Sequence, residues 1–98
     1  MNNIEIYENP KFSCEERAKD LLSKMSLAEK MGQVSCYFYG HEELKDAAAH
    51  GVGQVSTLEL RGIDSPEESA KLQRKIQEEI MARSEHHIPA IFHMEGLN

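Results

Sequence analysis

The chain has no tryptophan, only three prolines and two cysteines, and no long apolar run. Each shortage excludes something. No stretch approaches the roughly 20 apolar residues of a membrane-spanning helix. Met1 to Phe12 is polar and mixed in charge, with no basic segment leading into an apolar core, so it does not read as a secretory signal. Cys14 and Cys36 belong to no CxxC pair, and no Cys/His set has zinc-finger spacing. The favoured reading is two reduced thiols in a cytoplasmic protein. The alternative is a disulfide in an exported protein whose signal has been removed. Basic residues are outnumbered 11 to 17, for a formal charge of −6. Nucleic-acid recognition usually begins with a basic patch, and anionic lipid heads repel an acidic chain. Neither nucleic acid nor a membrane surface is therefore expected as a partner.

What is present fits a globular α/β chain. Apolar residues make up 40%, although a mean hydropathy of −0.56 is on the polar side. Ninety-eight residues suffice for one small domain but not for an eight-stranded α/β barrel, which takes about 250. No internal repeat, low-complexity stretch or linker divides the chain. Residues 1–12 read as an extended N-terminal arm and 13–98 as one structural unit.

Capping signals and periodicity give the elements. Ser13 and Glu16 form a capping box that opens a helix to about Met25, with Ala18, Leu21, Leu22 and Met25 on one face. Ser26 and Glu29 form a second box, opening a shorter helix that ends near Gly32. Val34 to Tyr39, aromatic and β-branched, reads as a strand stopped by Gly40. His41 to His50 reads as a helix closed by Gly51 just past its cap. Gly53 to Leu58 is the second strand, and Arg61 to Asp64 a loop. Ser65 as cap, Pro66 in the first turn and Glu67 and Glu68 at the positive end of the dipole start a helix running to about Ser84. Leu72, Ile76 and Ile80 form its apolar stripe, and Glu67–Lys71 and Arg74–Glu78 have ion-pair spacing. Ile88 to His93 is the third strand. Strands alternating with helices imply parallel pairing through crossovers.

The richest segment for chemistry is Ile88 to Asn98. A short apolar run ends in His93, Glu95 and Asn98, and in α/β proteins the chemistry sits where parallel strands end. Glu95, beside Gly96, can accept two hydroxyl hydrogen bonds, which suits a sugar or polyol. His93 reads as a strand-end histidine bonding a neighbour or a substrate hydroxyl. His93-Met-Glu95 is too sparse for a catalytic metal, which wants three protein ligands, and no metal or cofactor is expected. His86 and His87 precede the last strand and read as solvated loop residues at the opposite end of the sheet. His41-Glu-Glu43 is not a zincin start, since position 45 is lysine. Tyr37 and Tyr39 either stack on a sugar or pack the sheet, with packing favoured. Gly51-Val-Gly53 precedes a strand, whereas a dinucleotide fingerprint follows one. Arg61, in the loop after the second strand, either reaches an anion or the site rim or is simply solvated, with the solvated reading favoured. An open-sheet small-molecule binder would need a phosphate-cradling loop after a strand, and none is found.

Taken in order, four segments resemble the start of a family 3 glycoside hydrolase, the β-glucosidase and β-xylosidase group. Ser13 to Gln33 resembles the family's opening, RA.DLLSKMTLEEK.GQ. Gly51 to Ser56 resembles its GIGQ strand, Gln73 to Ser84 a following helix, and Ile88 to Asn98 its IP..f..EALHG segment. The resemblance implies the first three strands and helices of a TIM-like (β/α)8 barrel, incomplete in this chain. It also implies a parent enzyme that hydrolyses terminal β-linked glucose or xylose with retention and without a cofactor. Retention needs two carboxyls about 5–5.5 Å apart. The family's nucleophile is an aspartate in a downstream SDW-like motif and its acid/base follows later, so neither catalytic group falls within these residues. What carries over is Glu95, whose family counterpart binds sugar hydroxyls. Asn98, at a position where many members have histidine, joins Glu95 and His93 as a substrate-binding candidate. The expectation is an N-terminal piece of such an enzyme, inactive alone, with carbohydrate as the parent's partner. The competing expectation is a non-catalytic binding or self-assembly module of the same origin, associating as a homo-oligomer through exposed apolar surface.

Overall fold

The computed structural model describes residues 4–40, 42–57 and 65–93. They form a mixed α/β fold with four helices and one small sheet. The order is α1 (Cys14–Lys24), α2 (Leu27–Gln33), β1 (Cys36–Phe38), α3 (Leu44–Ala47), β2 (Gln54–Ser56), α4 (Pro66–Arg83) and β3 (Ile91–His93). All three strands are parallel, and their order in the sheet is their order in the chain. No helix among the described residues is long and apolar enough to cross a membrane.

The helix starts follow the capping signals. Ser13, Ser26 and Ser65 each accept the N–H three residues on, from Glu16, Glu29 and Glu68 at 3.1, 3.1 and 3.2 Å. In none of the three does the glutamate complete a box by reaching back to the backbone. Glu16 accepts from the Ser13 hydroxyl instead, and Glu29 turns inward. Ser65→Ala removes the cap of the longest helix without disturbing packing. It is expected to lower stability by about 1 kcal/mol, read as a shift in the urea midpoint by circular dichroism.

Packing follows from strand alternation. Tyr37, Val55 and Phe92 are register partners, so their side chains share one face. That face meets α4, whose Ile76 and Ile80 are buried and whose Leu72 packs at the margin. Ala48, Val52 and Ala90 complete the core. Gln77 on α4 holds the approach to β3 with two bonds to the Ala90 backbone, both 2.9 Å. The opposite face carries Cys36, Phe38, Gln54, Ser56, Ile91 and His93. Parallel sheets are normally covered on both faces, yet Phe38 is 51% and Ile91 69% exposed.

Several expectations shift. The strands are shorter than the apolar runs that announce them. Helix α3 spans four residues rather than ten, because the chain turns into the core at Ala48, fully buried as is Val52. Gly51 (φ +88°) therefore does not cap α3. It serves a turn closed by its own N–H on the Ala48 carbonyl at 3.0 Å. The expected pairs Glu67–Lys71 and Arg74–Glu78 do not close among the described residues. Glu67 accepts from the Ser65 hydroxyl, and the i,i+4 pair that forms on α4 is Glu79–Arg83. Within residues 1–12, read as an extended arm, Ile6–Glu8 wind into a 3-10 turn. It is held to α1 by Tyr7 N–H on Asp20 and by Arg17 Nε on the Tyr7 carbonyl.

Candidate functional site

Parallel strands that run in chain order bring their carboxyl ends to one edge, here Phe38, Ser56 and His93, paired in register. His93 is held there by backbone rather than by its ring. Its carbonyl accepts both the N–H and the hydroxyl of Thr57, each at 2.9 Å. The imidazole lies half-buried on the face opposite α4, with Nε2 3.7 Å from the Cys36 sulfur. Sequence reasoning placed His93 at a strand end and did not foresee Cys36 beside it. Glu95 and Asn98, like Arg61 and His41, lie outside the described residues.

At the end of β1 a concavity of about 510 Å³ is lined by Tyr37, Tyr39, Gly40, Glu42 and Glu43. Glu42 Oε2 accepts the Phe38 N–H at 3.1 Å, which ties the loop back to the strand end. Tyr37 packs, as favoured, and is only 5% exposed. Burial pushes its phenol up from the ordinary value, and the ionisable neighbours Tyr39, Glu42, Glu43 and Glu79 add to the shift. Tyr39 packs against the core while also lining the concavity. Carboxylate acceptors beside an aromatic surface can receive polyol hydroxyls.

A second polar centre lies before β3, and sequence reasoning missed it. The Glu29 carboxylate is fully buried. Its Oε2 accepts from the Ser84 hydroxyl at 2.6 Å and from the His86 N–H at 2.9 Å, and its Oε1 lies 2.7 Å from His86 Nδ1. Ser84 in turn accepts the Ile88 N–H at 3.1 Å. The expectation of two solvated histidines is thus corrected for His86, whose side chain is 17% exposed because a buried carboxylate holds it. His87 is exposed, with φ of 53°. Glu29, Glu85 and His86 bring one ligand atom each within 4.8 Å. The Glu29 oxygens are already engaged by three donors, so the arrangement works as an internal clamp.

No protein-family model matches the chain, and no curated protein matches it.

Proposed function

We propose that the chain is the opening of a TIM-like β-glycosidase barrel, contributing its first three strands and a sugar-binding edge. The observation that carries this reading is the strand arrangement. Parallel strands laid in chain order, with helices between them, bring the end of β3, which leads into Glu95, to the edge that holds the β1 concavity. Barrel enzymes carry their chemistry at that edge. In this reading Glu95 accepts sugar hydroxyls, His93 and Asn98 support it, and the nucleophile and acid/base come from later in the parent protein, a cytoplasmic hydrolase of β-glucosides or β-xylosides. These residues bind and orient, which assists catalysis without a bond-making step of their own.

The 98-residue chain alone is expected to release no chromophore from p-nitrophenyl β-glucoside or β-xyloside. A protein carried on through the same reading frame is expected to do so. In it, Glu95→Gln should raise KM about tenfold or more, as loss of a charged hydrogen-bond acceptor predicts. Turnover by the short chain that vanishes with Glu95→Gln would overturn the division of labour. An inactive longer product would sink the reading itself.

The exposed apolar residues Phe38 and Ile91 favour a second reading, a non-catalytic self-assembling module. A reading frame that stops after Asn98, with a concentration-dependent oligomer in sedimentation, would support it.

A further inference from the structure

A cavity of about 460 Å³ lies between the N-terminal arm, α1 and the connection from α4 to β3, and the reading above gives it no role. Its size falls within the roughly 300–1,000 Å³ of small-molecule sites. Leu21, Ile88, Pro89 and the Tyr7 ring supply apolar lining, and Arg17 and His86 supply polar groups. This is the composition expected of a ligand site, an apolar body with a few convergent polar groups.

Both polar groups are held in place. Arg17 donates Nε to the Tyr7 carbonyl at 3.0 Å, which orients the guanidinium without neutralising it. Among the described residues its Nη groups have no protein acceptor. Glu8 also lines the cavity but forms no ion pair with Arg17. The His86 ring is oriented by Glu29 at 2.7 Å and by the edge of Tyr7, with ring centroids 5.8 Å apart at 81°. An oriented guanidinium with free terminal nitrogens matches the geometry of a carboxylate. One full positive charge, with an acidic neighbour in Glu8, suits a monoanion better than a dianion such as phosphate. The apolar lining asks for a compact apolar body attached to it.

We propose that this cavity binds a small organic carboxylate, with Arg17 as its anchor and Tyr7, Leu21, Ile88 and Pro89 around its apolar part. An arginine that merely braced the arm would be served by its Nε bond.

The test is an NMR titration of the 15N-labelled 98-residue chain with sodium benzoate at constant ionic strength, with benzamide and inorganic phosphate in parallel. Benzoate is expected to give saturable shifts at the Arg17 Nε–H and at the amides of Tyr7, Leu21 and Ile88. Benzamide and phosphate should bind about tenfold more weakly or worse, from loss of the charge-assisted pair in one case and of the apolar contact in the other. Arg17→Gln should weaken benzoate by a similar factor. Equal binding of benzamide, or shifts that grow linearly without saturation, would overturn the proposal. The neutral probe decides the matter on the unaltered protein, even if Arg17→Gln loosens the arm.

Discussion

Gly53→Ala should destabilise the chain by about 3 kcal/mol or more, out of a total of roughly 5–15 kcal/mol for a domain of this kind. The reason is a backbone-to-backbone contact. A Cβ at position 53 would stand 1.9 Å from the Gln33 carbonyl oxygen and 2.7 Å from its carbon. Neither atom is the end of a flexible side chain, so relief requires α2 to move away from the approach to β2. That movement would strain the bond from Gly53 N–H to the Gly32 carbonyl, 2.9 Å, and the neighbouring one from Gln54 N–H to the Ser35 carbonyl, 3.3 Å. Gly32 meets the same contact from the other side, with a Cβ there 2.5 Å from the Gly51 oxygen. Gly32→Ala should also destabilise, but less, because alanine improves the intrinsic propensity of α2 by about 1 kcal/mol. Urea denaturation of the three proteins should therefore rank wild type, then Gly32→Ala, then Gly53→Ala. A Gly53→Ala protein within 1 kcal/mol of wild type would mean that the two segments do not touch as described.

These glycines show where sequence reasoning stops. Gly51-Val-Gly53 was read as a helix stop at Gly51, as part of a GIGQ-like segment and, because it precedes a strand, as no dinucleotide fingerprint. For Gly53 the need is steric and lies in a contact with Gln33, twenty positions earlier, which no local pattern records. Helix α4 is the opposite case. Ser65, Pro66, the acidic first turn and the Leu72–Ile76–Ile80 stripe are independent local signals that agree, and both ends of α4 fall within a residue of expectation. The parallel sheet was likewise legible from the alternation of strands and helices. Its strand lengths and the four-residue α3 were not, since those ends are set by Ala48 and Val52 entering the core. His93 was placed correctly at a strand end, because an apolar run followed by polar residues marks such an end. Glu29 was hidden by a sufficient local explanation. Its spacing from Ser26 accounts for a capping glutamate, while its true partners, Ser84 and His86, are 55 and 57 residues away. The only hint was a serine and a histidine with free donors just after a long helix.

The Glu29 clamp carries the second large expected effect. Glu29→Ala would leave the Ser84 hydroxyl, the His86 N–H and the His86 ring without their acceptor and open a cavity beneath them. A loss of about 3 kcal/mol is expected at neutral pH, and less for Glu29→Gln, whose amide can still accept two of these bonds. The pH dependence separates the charge from the shape. Burial is the largest single influence on this carboxyl and pushes its pKa up. The bonds from Ser84, the His86 ring and the His86 N–H together outweigh burial and hold it below the ordinary value. Because the folded value is the lower one, the unfolded chain takes up the proton first as pH falls. Stability from Glu29 is then complete above about pH 4.3, the ordinary glutamate value, and is lost as pH falls from there through the folded value. Asp20, held low by Lys24, and Glu67, held low by the Ser65 hydroxyl, add acid-side loss of the same sign. Both remain in the variant, as do Glu85, within 4.8 Å of the clamp, and Tyr7 against the His86 ring. The difference between wild type and Glu29→Gln therefore reports the carboxylate together with its pairing to the His86 ring. Urea midpoints measured from pH 5 down to pH 3 should fall more steeply for wild type than for Glu29→Gln, and the gap between the two curves should narrow toward the acid end. Parallel curves across that range would mean that Glu29 does not change its proton affinity on folding, and the clamp would then be held by shape and neutral hydrogen bonds alone.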